Sequence, residues 1–205
     1  MNLTTIFESW YIPDGTYPIL RRGQQVRLSF EIMLNSLAKT SAGARVSGSD
    51  TADYRISAQV IRKYRGDGAP LVVFEAGDFR FYNFGERTVH CDVGDWVELV
   101  GTLHVDHYGW VENLKTFIDP PDLFYNFVVS HIRRVRIPER FIARGEKTLS
   151  SPTSLPGSEY TEGDWDAVEE MDDPDDAALG FYLLDLDGTG LEAAQIPLTF
   201  LTAGA

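Results

Sequence analysis

One stretch limits the fold more than any other. In Trp96–Asp106, WVELVGTLHVD, Val97, Leu99, Leu103 and Val105 fall on one side, and Trp96, Glu98, Val100, Thr102, His104 and Asp106 on the other. A period of two suits a pleated strand with one buried face and does not suit a helix. Gly101 in its middle marks a bulge or bend. The pattern recurs. Val26, Leu28, Phe30 and Ile32 alternate with Arg27, Ser29 and Glu31, and Tyr54, Ile56, Ala58 and Val60 alternate with Arg55, Ser57 and Gln59. LVVFEAGDFRFYNFG reads as one bent strand or two short strands around Gly77-Asp78, and residues 123–141 give another strand, in part open to a helical reading. Pro13-Asp14-Gly15 and the 66–70 stretch GDGAP supply turn chemistry.

Short strands, frequent turns and no strong helix predict an all-β, mainly antiparallel fold. A small barrel of the oligonucleotide/oligosaccharide-binding (OB) kind is preferred, with a β-sandwich as the alternative. The small polar residues 35–53 read as a long mobile loop. GWVENLKTF, 109–117, is expected to return as the hairpin partner of 96–106, with Gly109 in the left-handed position of a three-residue loop.

Charge divides the chain. Residues 1–143 carry 16 Lys and Arg against 17 Asp and Glu, while residues 144–205 carry 2 against 14. We therefore expect a β body over 1–143, a Ser/Pro/Gly-rich flexible linker over 144–163 and an acidic–apolar segment over 164–205. Within that segment Trp165, Val168 and Met171 are spaced for a short helix, and Asp187-Gly188 for a turn. Its run FYLLDLDGTGLEAAQIPLTFL is too apolar for a plain acidic tail, so it docks on the body or awaits a partner. A single cysteine, Cys91, forms no internal disulfide. With no basic, apolar leader and no run of membrane-spanning length, the expectation is a soluble cytoplasmic protein.

Two short motifs have a chemical look. His104-Val-Asp106-His107-Tyr-Gly109 resembles the His-x-His-x-Asp-His signature of the metallo-β-lactamase superfamily, which gathers metal ions that activate water. Here Thr102 stands where the first His belongs, and only His131 follows, so turn chemistry is the better reading. An ad hoc zinc site from His90, Cys91, His104, Asp106 and His107 fares little better, since His107 sits at the turn. Asp185-Leu-Asp187-Gly-Thr189 resembles the first motif of haloacid-dehalogenase-type phosphatases, but sixteen residues after it leave no room for that fold. No catalytic set, metal or cofactor is expected.

Binding is the expected role. Single-strand nucleic-acid binders join aromatic platforms to a basic groove. The body offers Arg62, Lys63 and Arg65; Arg133, Arg134 and Arg136, with Arg140 close behind; and Arg21, Arg22 and Arg27, with Phe79, Phe81, Tyr82, Phe84, Trp96, Tyr108 and Trp110 as aromatic candidates, of which Trp96, Tyr108 and Trp110 are the preferred stacking rings. A β body, a linker and an acidic tail resemble in plan the bacterial single-stranded-DNA-binding proteins, although that family ends in Ile-Pro-Phe and this chain ends IPLTFLTAGA. The alternative is a protein-interaction adaptor or inhibitor whose Trp165, Asp172, Asp173, Asp175, Asp176 and Phe181 engage a basic partner. One open Arg strip would favour nucleic acid. Arg clusters that pair off, or lie under the tail, would favour the protein partner.

Overall fold

The computed structural model describes residues 1–48, 50–64, 70–106, 109–110, 113, 116–135, 165–171 and 181–188. Their strands are β1 (Asn2–Glu8), β2 (Gln25–Leu28), β3 (Phe30–Lys39), β4 (Arg45–Gly48), β5 (Asp53–Tyr64), β6 (Leu71–Ala76), β7 (Phe79–Phe84), β8 (Trp96–Val105), β9 (Tyr125–Val135), β10 (Trp165–Val168) and β11 (Phe181–Asp187). Ser9–Tyr11 and Glu86–Thr88 form single 3₁₀ turns. The fold is all-β. It divides into two compact units, Met1–Arg27 with Tyr125–Ala205, and Leu28–Phe124.

The Leu28–Phe124 unit is a closed five-stranded barrel. β3 pairs with β8, β8 with β5, β5 with β6 and β6 with β7, all antiparallel, and β7 closes on β3 in parallel. The cyclic order β5-β6-β7-β3-β8, with its one parallel seam, is that of an OB barrel whose last strand stands first in the chain. β5 is long enough to serve both neighbours, meeting β8 through Asp53–Gln59 and β6 through Gln59–Tyr64. Inward side chains alternate as the sequence requires. Phe30, Ile32, Ile56, Ala58, Val97 and Leu99 are fully buried, and Phe74 stacks on Phe81 at 5.6 Å. Gly77, at φ 65, makes the β6–β7 turn.

Three expectations are corrected. The 35–53 stretch is not a long loop: β3 runs on to Lys39, and Arg45–Gly48 adds an edge strand to β5. Small, exposed side chains hid that strand, because an edge strand without a buried face shows no alternation. The described residues of 109–117, which are Gly109, Trp110, Asn113, Thr116 and Phe117, do not pair with β8 as a hairpin partner. Both edges of β8 are already taken, by β3 and β5, and the described residues there form turns and bends. Nor does Gly109 have a positive φ; its role is to let the backbone pass close to Tyr82. Third, Trp165–Val168 is a strand and not a helix, because β9 offers it an edge.

In the other unit β1 pairs with β11 and β11 with β9, both antiparallel. β10 pairs antiparallel with the end of β9, which β2 also joins. Phe7, Tyr11, Tyr17 and Tyr182 form an aromatic cluster with Phe7 at its centre, 5.1 Å from Tyr11 and 5.5 Å from Tyr17. Part of the apolar run read as docking or waiting is therefore docked: Phe181 to Leu184 are all buried in β11. The 144–163 segment lies outside the described residues. Among the described residues no helix is long and apolar enough to cross a membrane.

A candidate nucleic-acid interface on the barrel

Register and alternation build a platform on the outer face of three adjacent strands. Arg62 on β5 is opposite Val73 on β6, which is opposite Tyr82 on β7. One step along, Tyr64 is opposite Leu71, which is opposite Phe84. Side chains two apart on a strand share a face. The outer face therefore carries a guanidinium, three aromatic rings and two aliphatic side chains in two rows.

The segment between β8 and β9 supplies the groups that meet this platform. Trp110 lies against Tyr82 with ring centroids 6.2 Å apart and planes 30° apart. Phe117 stacks on Tyr64 at 4.1 Å and 20°. Asp119 pairs with Arg62, Nη2 to Oδ2, at 3.3 Å. Leu71, Val73, Tyr82, Trp110 and Leu123 are buried together, with Ile61, Tyr64, Phe117 and Phe124 partly buried against them. This is a second, smaller core outside the barrel.

Asp106 anchors the start of the segment. Its Oδ1 accepts hydrogen bonds from the Tyr82 hydroxyl and, at 3.1 Å, from the Trp110 backbone N–H. Its Oδ2 accepts from the Ser29 hydroxyl at 3.3 Å. A fully buried carboxylate with three donors is a strong local organiser. Glu31, beside Tyr82 across the parallel seam, has Oε2 3.2 Å from the Tyr82 hydroxyl, and its Oε1 accepts from the Phe84 N–H. Burial, with some repulsion from Asp106, pushes the Glu31 carboxyl up to about 7, against the Phe84 and Tyr82 hydrogen bonds that favour the anion. Burial and the two nearby carboxylates also hold Tyr82 well above the usual phenol range.

His104 and Asp106 do share a face, as the alternation implied, but both are buried. His104 bonds with Thr102 at 3.1 Å, and burial pulls its imidazole down to about 3. A ring so hard to protonate is neutral at ordinary pH. Among the described residues no group of three or more His, Cys, Asp or Glu is placed to hold a metal ion; His107 lies outside them.

The other sequence candidates scatter. Lys63 gives its ammonium to the carbonyls of Val89 and Cys91, at 2.7 and 2.8 Å, and so braces the loop after β7. Trp96, half-buried, opens β8 opposite Gln59. Trp110 is fully buried, so its ring serves the small core rather than an open face. Arg133 is in the other unit, 2.8 Å from Asp185 and with its guanidinium 5.5 Å over the Trp165 ring. Arg134 is opposite both Asp166 and Tyr182. Arg21 and Arg22 pair with Glu170 and Glu169 at 2.8 and 3.1 Å, and Arg27 is half-buried in β2. Phe181 is buried opposite Glu8 and Val135. Arg65, Tyr108, Arg136, Asp172, Asp173, Asp175 and Asp176 lie outside the described residues.

The clusters around Arg62 and Arg133 thus belong to different units. Sequence reasoning missed Tyr64, Phe117, Asp119 and Glu31. The spacing Arg62-x-Tyr64 and Tyr82-x-Phe84 held a usable signal, since each pair must share a face once its strand is recognised.

No family model matches this sequence, and neither a curated protein nor a solved structure does.

Proposed function

We propose that the chain is a non-catalytic binding protein that takes single-stranded nucleic acid on the outer face of β5, β6 and β7. The observation that carries this is the platform itself: Tyr64, Tyr82 and Phe84 in register with Arg62 on a closed barrel of OB strand order. Stacked rings flanked by a guanidinium suit bases on a charged backbone, and base–aromatic stacking is worth about 1–3 kcal/mol per base. Phe84 already presents half its surface, at 50% exposed. The acidic C-terminal segment acts as a counterweight that keeps non-specific binding of polyanions low.

The test is fluorescence anisotropy of a labelled mixed-sequence single-stranded oligonucleotide with the full chain, at low and moderate salt. The full chain is required because β10 and β11 are part of a sheet with β1 and β9. Binding that weakens with salt supports the reading. No binding at low salt, either by the wild-type chain or by variants that uncover the platform, removes it.

A second reading has its own support. Arg21, Arg22 and Arg133 all pair with acids of the C-terminal segment. Pairing of that kind favours a partner protein over nucleic acid, and that partner would be basic. Saturable binding of a lysine-rich peptide, with none of the oligonucleotide, would place the function there.

A further inference from the structure

The three groups that sit on the platform come from one segment, and each meets its counterpart by the chemistry a nucleic-acid strand would use. Phe117 lays a ring on Tyr64, Trp110 lays a ring against Tyr82, and Asp119 brings an anionic oxygen to Arg62. We propose that Trp110, Phe117 and Asp119, which lie between β8 and β9, together form an autoinhibitory stand-in for single-stranded nucleic acid, which the true ligand must displace. The inference rests on the nucleic-acid reading above and adds the ligand's route of entry.

Ordinary core packing accounts for Trp110, which is buried and held by its N–H to Asp106. It does not account for Asp119. That side chain is 86% exposed and buries nothing, yet its backbone adopts φ 51 while its carboxylate meets Arg62. Asp tolerates the left-handed region better than most residues, but the conformation still needs a reason. An exposed ion pair is weak and screened by salt, so a phosphate can replace that carboxylate on Arg62 at little cost. Phe117 is only half-buried and is the next group to leave. Arg62 and Tyr64 therefore form the subsite that opens first, and the Tyr82–Trp110 pair opens last.

The experiment compares wild type, Asp119→Asn and the double variant Asp119→Asn/Phe117→Ala. The probe is a labelled mixed-sequence single-stranded DNA of about 16 nucleotides, at low salt. Asp119→Asn should bind up to about fivefold tighter, the range of one surface ion pair. The double variant should bind at least about tenfold tighter, because a vacated ring is open to a base. Adding Tyr64→Ala to the double variant should abolish the gain. Asp119 is exposed, so its substitution leaves folding intact even if the loss of Phe117 loosens the small core. Measurable wild-type binding that neither variant improves overturns the autoinhibition and leaves the nucleic-acid reading standing. No binding by any of the proteins removes that reading as well.

Discussion

Arg133 and Asp185 meet at 2.8 Å between the neighbouring strands β9 and β11. The same Asp185 oxygen accepts from the Thr4 hydroxyl of β1 at 2.8 Å, so one carboxylate ties three adjacent strands. Asp185→Ala takes from Arg133, only 16% exposed at its side chain, the carboxylate at 2.8 Å. A loss of about 1.5–3 kcal/mol is expected, the range for a hydrogen bond to a charged group. Urea denaturation checks it. A change under about 0.5 kcal/mol would mean that the C-terminal strand is held by its apolar face alone.

Gly109 should tolerate no side chain. A Cβ there would stand 2.5 Å from Tyr82 Oη and 2.8 Å from the ring carbon Cε2. Tyr82 cannot swing away without giving up Asp106. Gly109→Ala should therefore cost about 1–3 kcal/mol and increase Trp110 exposure, read as a red shift and stronger quenching of tryptophan emission. Unchanged stability and emission would show that the segment does not depend on this approach.

Gly101 should be less tolerant still. Its Cβ would run into the backbone carbonyl of Met33 and stand 3.1 Å from Leu34 Cα. There the β3–β8 register shifts, between Leu34 and Ser36. The obstacle at Gly109 is a side chain, whereas at Gly101 it is main chain in the barrel wall. Gly101→Ala should lower the denaturation midpoint more than Gly109→Ala does, and a reversed order would locate the weak point in the small outer core.

These cases show what the sequence made legible. Where one face of a strand is buried, as in β5 and the first half of β8, alternation gave both the strand and its inward residues. Where neither face is buried, as in β4, small polar residues looked like a loop. The 109–117 segment misled for another reason. Its residues suit a hairpin, but pairing is a competition, and β3 won the edge of β8 from far away in sequence. The platform was half legible. Arg62 was named from charge, and Tyr82 and Phe84 as aromatic candidates, but that these rings share a face with Arg62 and Tyr64 across β6 required the registers of β5, β6 and β7, which no local pattern carries. Arg133 looked equivalent to Arg62 on charge alone, and only the pairing of β9 with β11 separates them.

Glu31 and His104 should give stability opposite dependences on pH. The folded protein holds Glu31 near 7, from an ordinary value of 4.5. Between those values the folded state binds more protons than the unfolded one, so this residue's contribution falls as pH rises from about 4.5 to about 7. His104 is held near 3, from an ordinary 6.5. There the unfolded state binds more protons, and stability is lost as pH falls from about 6.5 towards 3. Glu8, raised to about 7 by burial, acts in the same sense as Glu31, so the difference between wild type and Glu31→Gln isolates the latter. Glu31→Gln keeps the shape and removes the charge facing Asp106. Relative to wild type it should gain on the order of 2 kcal/mol above pH 7, after discounting the 1.36 kcal/mol per unit for the partial exposure of Glu31. Below pH 4.5 the two should converge. Thermal melts at pH 4, 6 and 8 decide the matter. A constant offset across that range would show that Glu31 keeps an ordinary pKa and that the Tyr82–Asp106 contact does not feel its charge.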